Sequence, residues 1–140
     1  LEVAVWTLPP EATKNKREHM LPLSNAALDI LNGLPRLNET LVFPARGREE
    51  SSFSGFSKAK RRLSDACELQ AWSLHDLRRT MVTGMARLEV QPHVIERILN
   101  HVSGTISGVA AVYNRFQYLN EMRSALEKWA NHVLSLQASE

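Results

Sequence analysis

A chain of 140 residues, 44% of them hydrophobic, has the size of one compact domain and can bury a real core. It has no apolar run long enough for a membrane-spanning helix, and from Leu1 neither the basic head nor the apolar stretch of a signal peptide; its single cysteine, Cys67, excludes an internal disulfide and fits a reducing, cytoplasmic setting. A formal charge of +2 leans basic, too mildly to establish a nucleic-acid partner by itself.

The chain opens without methionine, inside a strand-like run, which suggests a piece of something longer. Val3, Val5 and Thr7 alternate with their neighbours until Pro9 and Pro10, which cannot continue a central strand. HMLPL, after the polar EATKNKRE, is again strand-like, so the spacing predicts a β-hairpin with Lys14, Asn15 and Lys16 near its tip. Such a tip is ordinarily a solvated turn. Ser24 can cap a helix through AALDILNG, with Ala27, Leu28 and Leu31 on one face and Gly33 as its stop. Pro35 to Gly55 reads as an irregular surface loop, briefly extended at LVFP.

FSKAKRRLSDACEL predicts a second helix with Ser57 as its cap and Phe56, Ala59 and Leu63 as its apolar stripe. Lys58, Lys60, Arg61 and Arg62 line the rest of its surface. With Arg46 and Arg48 they either form a solvated face or trace a phosphate backbone. Ser73 and Asp76 have the spacing of a capping box, so a third helix begins at Leu74, docked by Leu77, Met81, Met85 and Leu88. His75 and Arg78, three apart, share a face beside the helix N-terminus, where unpaired amides and the dipole favour an anion such as a phosphate. Alone, an H-x-x-R pair is as well explained by packing and a surface ion pair.

Pro92 suits the first turn of a fourth helix with Val94, Ile95, Ile98 and Leu99 inward, His93 on the surface and His101 just past its end. VSGTISG reads as a flexible linker to VAAVYNR, which carries Tyr113; the ordinary reading of that tyrosine is a core residue with its hydroxyl satisfied. The last helix, about Tyr118 to Leu136, sets Leu119, Met122, Leu126, Trp129, Val133 and Leu136 along a heptad-like seam, able to dock in cis or on another copy.

HDLRRT, then LNH with its glycine-containing loop, then VYNR, in that order after a basic hairpin ending in MLPLS, resemble the catalytic domain of tyrosine recombinases, the phage and prophage integrases. The resemblance runs nearly end to end. It implies a mainly α fold with a small antiparallel β-hairpin or sheet (α+β), lacking part of its N-terminal side. Residues 1–23 would be the hairpin, 24–117 the helical core and 118–140 a docking helix, together one partial catalytic domain. It further implies site-specific recombination: Tyr113 attacks a DNA phosphate to give a 3′-phosphotyrosyl link, Lys14 protonates the leaving 5′-oxygen, and Arg78 holds the nonbridging oxygens. His75 assists proton transfer and His101 hydrogen-bonds the phosphate. No metal or nucleotide cofactor is implied. The partner would be double-stranded DNA, held by Lys16, Arg17, Lys58, Lys60, Arg61 and Arg62, with a homo-tetramer formed by the full-length protein.

Two departures from that pattern stand out. The family's first catalytic arginine, in an R-x-x-E segment ahead of the sheet, has no counterpart between Leu1 and Lys14 and is expected upstream. The spacer between His101 and Tyr113 is long, which leaves Tyr118 as a competitor. The alternatives are a non-catalytic DNA-binding module or recombinase relic, and a helical protein-interaction domain.

Overall fold

The computed structural model describes residues 4–101, apart from 69, and residues 118–137. These fall into two compact units: Leu1–Asp29 with Met81–Glu140, and Ile30–Thr80. The architecture is α+β, with five α-helices and two small antiparallel sheets among the described residues.

In the first unit, β1 (Val5–Leu8) pairs with β2 (His19–Pro22) in antiparallel register, Val5 opposite Pro22 and Leu8 opposite His19. The expected hairpin is present. Pro10–Ala12 form a single 3-10 turn after β1, which Pro9 and Pro10 end because proline cannot donate to the ladder. Helix α1 (Asn25–Gly33) leaves the sheet at Ser24, whose hydroxyl accepts the Ala27 N–H at 3.3 Å, as a cap should.

The core of this unit gathers Met85 from α3 (Leu74–Arg87), Val94, Ile95 and Ile98 from α4 (Pro92–Ile98), Leu99 just beyond it, and Met122 and Ala125 from α5 (Leu119–Gln137). Helix α5 lies against α4 and β2. It also closes two helix ends. The Glu127 carboxylate accepts the Asn25 N–H at 2.8 Å, and the Lys128 ammonium donates to the Leu88 carbonyl at 2.6 Å. Each charge sits where the helix dipole favours it, negative at an N-terminus and positive at a C-terminus. The seam of α5 docks within this chain as far as Trp129, whereas Val133, Leu134 and Leu136 are exposed.

Both α3 and α4 end in Schellman turns, in which a residue with positive φ lets two amides reach back to the last turn. After α3, Glu89 (φ 60°) is the pivot; Val90 N–H bonds Met85 C=O, and the two side chains join the same core. After α4, Asn100 (φ 55°) is the pivot and His101 N–H bonds Glu96 C=O at 3.0 Å. Proline at the start of α4 and its inward residues follow the sequence reading. His93, expected on the surface, is half-buried instead, edge-on to the Tyr118 ring with centroids 5.1 Å apart.

The second unit departs further from the sequence pattern. The segment expected as an irregular loop contains β3 (Pro44–Ala45) and β4 (Arg48–Ser52), joined through Arg46 and Gly47. Gly47 adopts φ 76°, the left-handed conformation that glycine reaches without a Cβ penalty. Helix α2 (Phe56–Ala66) is capped by Gly55, so Ser57 lies inside its first turn and is not the cap. Its presumed apolar stripe is solvent-facing too: Phe56 and Leu63 are 57% and 50% exposed, and Ala59 is exposed. Phe56 instead meets Phe53 in an edge-to-face pair. Leu77, expected to dock α3, is 58% exposed.

Candidate active site

Lys14 is exposed and follows the hub of the connection between β1 and β2. That hub is Thr13, only 6% exposed. Its hydroxyl lies 2.7 Å from the Arg17 carbonyl and 3.1 Å from that of Pro10, and it accepts the Arg17 N–H at 3.1 Å. Lys16 turns the chain with φ 56°, its N–H bonded to the Thr13 carbonyl. The Asn15 amide donates 2.8 Å to the Asn100 carboxamide oxygen, and its own oxygen accepts the Arg17 N–H at 3.2 Å. Lys14 thus projects from a turn held on both sides. Nothing in the pattern of EATKNKRE distinguishes Thr13 or Asn15 from ordinary turn residues, and both were missed by sequence reading.

His101 is the residue after Asn100, with its amide locked into the Schellman turn. Its Nδ1 lies 3.5 Å from a Glu96 carboxylate oxygen. That separation meets the distance of an ion pair, but the same oxygen, sealed from water, has no hydrogen-bond partner. At 3.5 Å the contact is longer than an ordinary hydrogen bond. Glu96 and His101 hold the two Schellman positions that commonly make an apolar contact.

In the other unit, α3 begins at Leu74 as expected. The Asp76 carboxylate accepts both the Ser73 N–H and the Ser73 hydroxyl, each at 2.8 Å, while the Asp76 N–H bonds the Ser73 backbone carbonyl. This is the reciprocal half of a capping box, the acidic side chain reaching back. The Ser73 amide, then its hydroxyl, with a smaller contribution from Arg79, hold the Asp76 carboxyl below its ordinary range against slight desolvation. Arg79 reaches the same carboxylate at 3.0 Å. His75 and Arg78 are both exposed on this first turn and a half. At i and i+3 they share one face, and the guanidinium fork of Arg78 suits two phosphate oxygens at once.

On α2, Lys58, Arg61 and Arg62 are exposed, whereas Lys60 is half-buried with its ammonium 5.2 Å from the centre of the Trp72 ring. The Trp72 N–H donates to the Ser64 hydroxyl at 2.8 Å, which ties the approach to α3 onto α2. Lys16 and Arg17 are exposed beside Lys14. Tyr113 lies outside the described residues. Its competitor Tyr118 packs against His93 and beneath the Arg97 guanidinium, 5.7 Å from its ring centre.

The model of the Phage integrase family matches residues 1–119. The chain belongs to the phage integrase family. Two curated integrases of Escherichia coli (strain K12) are similar to it. Prophage integrase IntA is 30% identical over 132 residues, which cover 91% of this chain and 31% of the relative; prophage integrase IntZ is 31% identical over 142 aligned residues, covering 99% and 34%. This integrase chain therefore spans about a third of the length of the relatives it matches. No solved structure gives a significant match. The α+β architecture agrees with an integrase catalytic domain, and among the described residues no helix is long and apolar enough to cross a membrane.

Proposed function

We propose that this chain carries most of the strand-transfer centre of a site-specific DNA recombinase. Tyr113 attacks the scissile phosphate, its oxygen forming the new P–O bond while the bond to the 5′-oxygen breaks. Lys14 delivers the proton that the leaving oxygen needs, Arg78 neutralises charge on the nonbridging oxygens, His75 moves a proton, and His101 hydrogen-bonds the phosphate. The phosphotyrosyl ester keeps the energy of the phosphodiester, so a second strand's 5′-hydroxyl can reverse the step without a nucleotide. Double-stranded DNA is the substrate, with Lys16, Arg17, Lys58, Lys60, Arg61 and Arg62 along its backbone. The assembly on DNA is a homo-tetramer, and the location is cytoplasmic.

The observation that carries the reading is the pairing of His75 and Arg78, exposed on one face at the start of α3, in a chain of this family. The engagement of Tyr118 with His93 and Arg97 supports Tyr113 as the nucleophile. The test is a covalent-adduct assay on nicked suicide DNA with the full-length polypeptide, because the first arginine of the family pattern has no counterpart in Leu1–Lys14 and these 140 residues alone are expected to cleave poorly. Tyr113→Phe should abolish the adduct and leave DNA binding intact. Loss of the adduct in Tyr118→Phe, with Tyr113→Phe active, would overturn the assignment. Absence of any tyrosine-dependent adduct would favour a non-catalytic DNA-binding module, for which the exposed cations of α2 would suffice.

A further inference from the structure

Two of the residues assigned to the chemistry lie far apart in sequence, yet each is chain-adjacent to one partner of a single side-chain hydrogen bond. Lys14 precedes Asn15, His101 follows Asn100, and the Asn15 amide donates to the Asn100 oxygen at 2.8 Å across 85 positions of sequence. We propose that this Asn15–Asn100 bond is a positioning latch that holds the Lys14 turn against the His101 corner; the inference rests on the role of Lys14 proposed above.

The two ends differ in stiffness. Asn100 sits at the pivot of a Schellman turn, with its own amide and that of His101 bonded back into α4, whose inward side chains are buried. Lys14 is an exposed, long side chain on a turn whose residues 14, 16, 17 and 18 are all exposed. Within this turn, Thr13 and Asn15 bond locally to Arg17, which sets its shape, but none of those bonds reaches the α4 corner. The Asn15–Asn100 bond does. A general acid must lie within hydrogen-bond reach of the leaving oxygen, so a turn that wanders by an ångström or two spends less time competent. Asn15 and Asn100 touch no reacting atom in this proposal; they are positioning residues.

The chemistry offers a readout that a purely structural role would not move. If the latch serves Lys14, its loss should matter only where the leaving group needs a proton. A 5′-bridging sulfur leaves as a thiolate, which is far less basic than an alkoxide and needs no proton from Lys14.

The cleaner variant is Asn100→Gly. Glycine accepts the backbone at φ 55° without penalty, so the Schellman turn survives while the latch acceptor is removed. Asn15→Ala is less selective, because it also removes an acceptor for the Arg17 N–H. In single-turnover cleavage by the full-length polypeptide, Asn100→Gly should slow cleavage of the ordinary 5′-oxygen substrate roughly threefold to tenfold, the range one net hydrogen bond can supply. The same variant should cleave the 5′-sulfur substrate within about twofold of the parent. In the double variant Asn15→Ala/Asn100→Gly, the losses should fall short of the product of the single losses.

Lys14→Ala is measured alongside. If Lys14→Ala leaves 5′-oxygen cleavage intact, the role of Lys14 fails, and the latch with it. If Lys14→Ala is slow and rescued by sulfur while Asn100→Gly is as fast as the parent, the latch alone is refuted. A slow Asn100→Gly that sulfur does not rescue refutes it as well, since the defect then lies outside leaving-group protonation.

Discussion

Replacing Gly84 with alanine isolates the closest packing contact on α3. A Cβ built at Gly84 would lie 2.8 Å from Cη2 and 3.0 Å from Cε3 of Trp129, and closer still to Cζ3. Contacts this short require the ring to move, and it cannot move freely, since Trp129 packs against the buried cluster that includes Met85, Ile98 and Met122. Overpacking of this kind costs about 1–3 kcal/mol. Against it stands the helix propensity of alanine over glycine, worth about 1 kcal/mol in a helix interior. The difference is a net destabilisation of about 1 kcal/mol, or roughly 4 °C in Tm for a chain of this size. Trp129→Leu removes the ring, and in that background Gly84→Ala should change sign and stabilise by up to about 1 kcal/mol. Urea denaturation of the four proteins measures the cycle. Stabilisation by Gly84→Ala in the presence of Trp129 would refute the close approach of α3 to the Trp129 ring.

Two other perturbations test the supports of the candidate site. The Asp76 carboxyl titrates below its ordinary value, so the folded state holds its proton less tightly than the unfolded chain. Its contribution is complete above that ordinary value and is lost as the pH falls through the lowered one; Asp76→Asn should therefore flatten stability against pH below about 4, and an unchanged acid limb counts against the Ser73–Asp76 interaction. Thr13→Val keeps the shape of the side chain but strips the hydroxyl from Arg17, which should cost about 1–2 kcal/mol in denaturant unfolding. A neutral Thr13→Val would show that solvent or Asn15 satisfies the turn equally well.

The elements read correctly from sequence are those in which local chemistry and packing agree. Pro92 begins α4, Ser24 caps α1, the Ser73–Asp76 spacing starts α3 at Leu74, and the valine and isoleucine spacing of α4 matches its buried face. The second sheet was illegible because β4 reads REESS, with no alternation of apolar residues to mark a strand; its register comes from the turn at Gly47 and from the Phe53 N–H bonded to the Phe43 carbonyl. The apolar stripe of α2 failed for the converse reason: spacing can offer a face, but Phe56 and Leu63 remain exposed.

The candidate site divides along the same line. The local signals beside His75, Arg78, His101 and Lys14, a helix start, a helix end and a turn, were legible, and their order along the chain carries the family resemblance that makes these residues candidates. The contacts between distant segments were not. Asn15 meets Asn100 across 85 positions, Glu127 and Lys128 close the ends of α1 and α3, and Trp129 fills the space over Gly84. Local sequence by itself determined which residue types stand at helix ends and turns, because caps and periodicity act within a few residues. Only the tertiary structure decided which of those ends are tied together, because hydrogen bonds and packing between distant segments depend on chain positions that no local pattern encodes.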